Sequence, residues 1–324
     1  MPLKLITGSR LGRLRPRFPT SATTGPEAWP GWTGSYSQTI EGDDLIIHEG
    51  GTAENPRVIS GIHMIGGTIH TAPGVQHLHI VGCWVQGWQP GLGGVNLSYG
   101  DNSDCQIRYC RISALSNDDN TPESYDNTRL NYGIRVFADD LLIERNEVFW
   151  VPDGIQIAGS RNIIRDNFVH DVTFWDDGQG GVGASPGGDH NNCLLHNGGT
   201  VTDLTITGNA FILNRRGAGM IQTGALSLQQ SVEFPGQYER VEVSNNLIGG
   251  GGYAMYSGYE PGKEGNSPGT EFVVTNNRFL TTYFPGAGNF GPATAAQPWG
   301  VNGNLWQGNR WSGGLRDGQL VDAP

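Results

Sequence analysis

Charge is scarce in this chain: only 16% of its 324 residues are Asp, Glu, Lys or Arg, and lysine occurs only at Lys4 and Lys263. Long apolar runs are missing too. No stretch approaches the ~18 apolar residues of a membrane span. The opening run MPLKLITGSRLGRLRPRF is basic but has no apolar segment behind it, which argues against a secretory leader and for a chain that stays off the usual export route. Cysteine is limited to Cys83, Cys105, Cys110 and Cys193, with no Cys-x-x-Cys pair, so neither a zinc site nor a disulfide scaffold is indicated. The few charges are unevenly placed. Lys4, Arg10, Arg13, Arg15 and Arg17 precede the first acid, Glu27, while the whole chain carries −11. An acidic body speaks against a nucleic-acid ligand. The basic end suits an acidic protein partner, or else it is a solvated, frayed terminus.

What the chain does have is glycine, 51 residues of it, and a repeated phrase. The phrase reads apolar-x-apolar-x-x-Asn-x-apolar and returns eight times, beginning at residues 78, 105, 141, 162, 204, 241, 272 and 304. Its sixth position is Cys83, Cys110, Asn146, Asn167, Asn209, Asn246, Asn277 and Asn309, at intervals of 27, 36, 21, 42, 37, 31 and 32 residues. A constant phrase at variable spacing is the mark of a solenoid with loops inserted between turns. Alternation at two-residue steps indicates strands. The Asn marks a tight bend, where it tolerates a left-handed backbone and bonds its own chain. Stacking at ~4.8 Å would line these side chains into an internal ladder. Cys83 and Cys110 then stack within disulfide reach, although two buried thiols acting as small hydrophobes are the simpler reading.

A second strand precedes the phrase in most copies, as in Gly94-Val-Asn-Leu97, Gly133-Ile-Arg-Val136, Gly154-Ile-Gln-Ile157, Asn192-Cys-Leu-Leu195 and Tyr253-Ala-Met-Tyr256. The pattern resembles the right-handed parallel β-helix of the pectate-lyase-like superfamily over residues 60–311. The fold class is therefore all-β, a single-stranded right-handed parallel β-helix over residues 36–312. An extended basic arm (residues 1–35) precedes it and a tail (residues 313–324) follows. Residues 62–69 fit the phrase with Gly67 at the bend and read as a cramped first turn or cap. Trp306 and Trp311 take inward positions that would plug the far end.

Two long insertions leave the same edge of the solenoid, residues 115–131 and 173–191, and flank the tightest turn. Two walls around a short turn define a groove. Its floor is expected to be Arg135, Gln156 and Leu194, and its edge Asp153, His190 and Asn191. Trp175 and Tyr132, with Trp88, Trp150 and Tyr125, lie at or near the loop edge, where aromatic rings suit sugar stacking or loop packing. Val-Pro-Asp153-Gly-Ile-Gln156-Ile and Asp189-His190-Asn-Asn each resemble part of the Asp-His-x-Asp-Gly-Ile-Gln phrase of bacterial and phage β-helix proteins, split here across two turns. A polysaccharide lyase needs a base and a cation for the enolate. A hydrolase needs two carboxylates. Asp153, Asp176, Asp177, Asp189, His170 and His190 are the candidates for either. Against this, Arg135 is the one cation on the expected floor, and Asp before Gly ordinarily bonds a turn backbone. Asp118-Asp119-Asn120 and Asp176-Asp177-Gly178 offer calcium-type oxygens but lack the DxDxDG order, so turn solvation is preferred and no cofactor is expected. The remaining histidines, His48, His63, His70, His77, His79 and His196, read as strand surface.

The run Arg17-Phe-Pro-Thr-Ser-Ala-Thr-Thr-Gly-Pro26 is similar to the opening of minor tail proteins from actinobacterial phages, departing after Pro26. That resemblance implies a virion component at the tail tip or in a fibre. It would be anchored to other tail proteins through the arm and would contact host cell-surface polysaccharide. It also implies an oligomer, since such β-helices often form homotrimers. The competing reading is a carbohydrate-active enzyme, lyase or hydrolase.

Overall fold

The structure, a computed structural model, describes residues 18–88, 92–98, 100–115, 130–173, 191–213, 223–230, 235–262 and 264–324. Within these, every paired strand is parallel to its neighbours in one of three sheets, of ten, nine and nine strands. Each turn contributes one strand to the first sheet, one to the second and one to the third. Turn one is Gln38–Glu41, Leu45–Ile47 and Arg57–Ser60; turn four is Arg111–Ala114, Tyr132–Phe137 and Leu142–Glu144. Turn five is Glu147–Phe149, Asp153–Ala158 and Ile163–Arg165; turn six is Phe168–Val169, Asn192–Asn197 and Val201–Thr207. Nine full turns are followed by Arg310–Ser312, the last strand of the first sheet. This is the right-handed parallel β-helix that the phrase implied. Residues 62–69 are not its start: they run from the first sheet into the second, and a whole turn precedes them. Alternation looks the same in every sheet, so without an Asn the phrase slipped by one sheet.

The Asn column lies where the third sheet turns into the first, and all six of its asparagines are fully buried. Each Oδ1 accepts from the backbone N–H of the preceding turn's bend residue, as in Cys110 to Asn146 (2.9 Å), Asn167 to Asn209 (2.9 Å) and Asn277 to Asn309 (3.0 Å). From Asn146 on, each Nδ2 donates to the next Oδ1, and every Nδ2 of the column also bonds a backbone carbonyl of the turn before, such as Ile164 O for Asn209. The ladder thus satisfies a buried bend that water cannot reach. One expectation is corrected. The left-handed residue is the one before the column residue (Tyr109 before Cys110; Arg145, Asp166, Asn245 and Asn276 before an Asn; φ 52–57°). The Asn itself bonds the neighbouring turn. Cys83 and Cys110 head the column as free, buried thiols, and burial pushes the Cys110 thiol well up.

Both terminal segments depart from expectation. Residues 18–37 lie on the chain's own solenoid, running from the fifth turn back to the first. Gly25 N–H donates to Arg145 O (2.9 Å), and Arg111 joins Glu27 (2.8 Å) to Glu147 (2.7 Å). Trp29 covers Gly82, where a Cβ would stand 2.5 Å from the indole. Residues 1–17 lie outside the described residues. At the other end residues 313–324 are a cap. Leu320 pairs antiparallel with Arg310, Val321 is buried, and Trp306 Nε1 donates to Val321 O (2.9 Å). Trp311 and Trp306 do point into the core, as expected.

Candidate functional site

The outward column of the second sheet passes through Asn96, Arg135, Gln156, Leu195, Ser227, Tyr256 and Thr294 in strict register. Leu194, expected on this floor, instead points inward and is fully buried; Leu195 takes its place. The reason is the two-residue period: Asn192, Leu194 and His196 share a side. His196, expected on the surface, is for the same reason in the core. Its Nδ1 lies 2.8 Å from Tyr238 Oη, and burial lowers its pKa to about 4.

Two residues before each outward residue from Asn96 to Tyr256 stands a small one: Gly94, Gly133, Gly154, Cys193, Ala225 and Ala254. A Cβ on Gly154 would come within 2.3 Å of Val169 Cγ1, so the strand approaches the first sheet too closely for a side chain. The Arg135 guanidinium sits 4.8 Å from the Tyr132 ring centre and 5.0 Å from that of Phe137, a cation between two aromatic faces. Gln156 is 4% exposed, and its Oε1 accepts no hydrogen bond among the described residues. Farther along, Tyr253, Tyr256 and Phe290 form a second aromatic group, with centroids 5.9 and 5.7 Å apart and Phe290 64% exposed. Tyr256 lies over Gly224, and Tyr253 over Gly291. The sequence reading missed this group. Aligning the small residue of each turn would have placed Tyr256 in the Arg135–Gln156 column.

Asp153 has a structural part. Its Oδ1 accepts from the backbone N–H (3.0 Å) and Nδ2 (2.9 Å) of Asn192 on the next turn. Asn191 donates from Nδ2 to Thr173 O (2.9 Å). Both side chains therefore brace the edge of the second sheet. Trp175, Asp176, Asp177, Asp189 and His190 lie outside the described residues, as do Asp118, Asp119 and Tyr125. Among the described residues no three His, Cys, Asp or Glu side chains converge as metal ligands do.

His170, the remaining acid–base candidate, directly follows the first-sheet strand Phe168–Val169 and not a strand of the second sheet. Its Nδ1 meets Asp171 (2.7 Å), its Nε2 meets Glu147 (3.4 Å), and its ring stacks on Phe168 at 4.0 Å. Burial works to lower its pKa, but the two carboxylates outweigh this and raise it. Burial would likewise raise Glu147. Hydrogen bonds from His170, Ser21 and Arg111 instead bring it to about 2. This cluster clasps the segment 18–37. Several outward charges of the third sheet are also spent on one another: Glu144 accepts from Arg108 (2.8 Å) and Arg165 (2.9 Å), and Arg240 pairs with Asp203 (2.6 Å).

No family model matches the chain, and no curated protein matches it by sequence. Among solved structures it is similar to the Dettilon tailspike protein, at 13% identity and a TM-score of 0.41 over 84% of this chain and 54% of that one. The chain thus spans about half the length of that tailspike. It is also similar to QnrB1, a plasmid-mediated fluoroquinolone resistance protein, at 11% identity and a TM-score of 0.18 over 85% and 92%.

Proposed function

We propose that this protein is a structural component of a phage tail, at the tip or in a fibre, whose solenoid presents a face for host cell-surface polysaccharide. The observation that carries the reading is the outward face of the second sheet. It offers a guanidinium between two rings, a buried amide oxygen with no partner among the described residues, and a separate Tyr253–Tyr256–Phe290 group. Rings and neutral hydrogen-bonding groups on a rigid scaffold suit sugar rings, whose faces are apolar and whose edges are polar. Asp153, the carboxylate one turn from Arg135 and beside Gln156, accepts hydrogen bonds from Asn192, which supports binding over cleavage. The run at residues 17–26 supports placement in a virion, with other tail proteins as partners.

Stacking and neutral hydrogen bonds give weak single-site affinity, on the order of millimolar to micromolar, which several copies on one particle would multiply. The test is adsorption of the purified protein to host cell-wall polysaccharide. Gln156→Ala and Tyr256→Ala should each lower adsorption several-fold and leave the circular dichroism spectrum unchanged. Unchanged adsorption in both variants would remove this face from the account. New reducing ends or unsaturated products, abolished by Asp153→Asn, would establish an enzyme instead.

A further inference from the structure

The Asn column begins with two cysteines that stand in for asparagine. Asn167 Nδ2 donates to the carbonyl two residues back, Arg165 O (3.0 Å), and to Ile143 O (2.9 Å) of the turn before. Cys110 Sγ meets the corresponding pair, Arg108 O (3.4 Å) and Ile80 O (3.6 Å), and Cys83 Sγ meets Val81 O (3.6 Å) and Ile59 O (3.9 Å). The residues that follow them, Trp84 and Arg111, are in register, so the two cysteines stack directly. Their thiols hydrogen-bond one another. In-register strands hold stacked Cβ atoms about 4.8 Å apart. A disulfide needs about 3.8 Å, so the two bends would have to close by about 1 Å to form one.

Both bends are also clamped from outside by residues 18–37. Gly82, before Cys83, lies under the Trp29 indole, where a Cβ would stand 2.5 Å from the ring. Trp84, after Cys83, stacks on His63 at 4.6 Å, and the Tyr36 ring packs against both, 6.2 Å and 5.1 Å from their centroids. Arg111, after Cys110, binds Glu27 (2.8 Å). Closing the bends therefore shifts the residues that hold this segment. We propose that Cys83 and Cys110 form a reversible dithiol–disulfide couple whose oxidation loosens residues 18–37. The oxidant is a small-molecule disulfide such as oxidised glutathione. The Cys83 thiolate attacks one sulfur of the reagent, whose S–S bond breaks and releases a first thiol. Cys110 gives up its proton and attacks Cys83 Sγ, releasing the second. In sum the two cysteines pass two electrons and two protons to the reagent, which leaves as two thiols. Cys83 is the attacking sulfur: the hydrogen bond from Cys110 holds its thiol below its ordinary pKa, whereas burial pushes the Cys110 thiol well up. Both cysteines are fully buried, so the reagent enters when the segment lifts. Strain in the closed bends then opposes its return and keeps the bond easy to reduce.

The test equilibrates the full chain at a series of oxidised-to-reduced glutathione ratios, followed by quenching, alkylation and peptide mass mapping. A Cys83–Cys110 link should form and reverse with the ratio. The N–H groups of Gly25, Trp32 and Ser37 bond Arg145 O, Trp29 O and Gly61 O. Their exchange should be about fivefold faster or more in the oxidised form, the lower range of a coupling between sites, with residues 241–248 unchanged. Cys83→Ser should abolish this response to glutathione. Coupling is reciprocal. Glu27→Gln and Trp29→Ala, which weaken the segment's hold, should therefore form the link at a lower oxidant ratio than the native chain. Absence of the link in the native chain and in both variants would overturn the proposal. So would a link that reductant does not reverse, a link that leaves exchange in residues 18–37 unchanged or slower, or midpoints that neither variant moves.

Discussion

Asn209→Ala tests whether the Asn column holds the turns together or merely occupies a bend. In the native chain, Asn209 Oδ1 accepts from Asn167 N–H (2.9 Å) and Asn167 Nδ2 (2.9 Å). Its Nδ2 donates to Ile164 O (2.9 Å) and Asn246 Oδ1 (3.0 Å). Alanine leaves the Asn167 N–H as a buried donor with no acceptor, at a cost of about 1–3 kcal/mol. The bonds to Ile164 and Asn246 are worth about 1 kcal/mol each. The expected loss is therefore about 3–5 kcal/mol, read from urea unfolding followed by tryptophan fluorescence, with the Asn167 amide exchanging faster. Asn209→Asp sharpens the test. A carboxylate keeps both acceptor roles but faces the Ile164 carbonyl and Asn246 Oδ1 with no proton to give. Its pKa in the folded chain is then raised. Relative to the native protein at the same pH, this variant should be destabilised at neutral pH and recover as falling pH protonates it. A loss below about 1 kcal/mol for the alanine variant, with Asn167 protection unchanged, would refute the reasoning.

Two further outcomes follow from buried groups. His196 is held neutral by burial, with its pKa lowered from 6.5 to about 4. The unfolded chain therefore takes up a proton first, and the stability present above pH 6.5 declines as pH falls toward 4, by about 3 kcal/mol. His196→Phe should flatten the unfolding midpoint across that window. Glu147, at about 2 against an ordinary 4.5, contributes stability that is present above pH 4.5 and lost below it. Glu147→Gln should abolish the pH 4.5–2 portion and loosen residues 18–37, seen as faster exchange at Gly25. At Gly154, the Cβ of alanine would stand 2.3 Å from Val169 Cγ1 and 2.6 Å from Cys193 O. Gly154→Ala should cost about 1–3 kcal/mol, and thermal unfolding should show a lower midpoint.

The fold was legible because it is local and repeated. Alternation sets the inward and outward faces, and a bend whose buried backbone must be satisfied selects Asn at one position in turn after turn. Leu194 and His196 were misread only because the two-residue period was not carried through residues 192–196. The Asn itself was credited with the left-handed backbone, since its preference for such conformations is visible in sequence while a hydrogen bond to the next turn is not.

From the sequence alone came the solenoid, the column Asn146 to Asn309, the outward positions of Arg135 and Gln156, and a basic segment set against an acidic body. Each depends on the order of residues within one turn. Tertiary structure alone decided what depends on contacts between distant turns. The Asp153 carboxylate is held by Asn192, 39 residues on, and so braces a loop edge. Arg111 ties Glu27 to Glu147, so residues 18–37 belong to the solenoid. Tyr256 joins the Gln156 column only because loops of different lengths bring every turn back to the same register. Loop length is unconstrained by the repeat, because closing a longer loop costs little more than closing a short one.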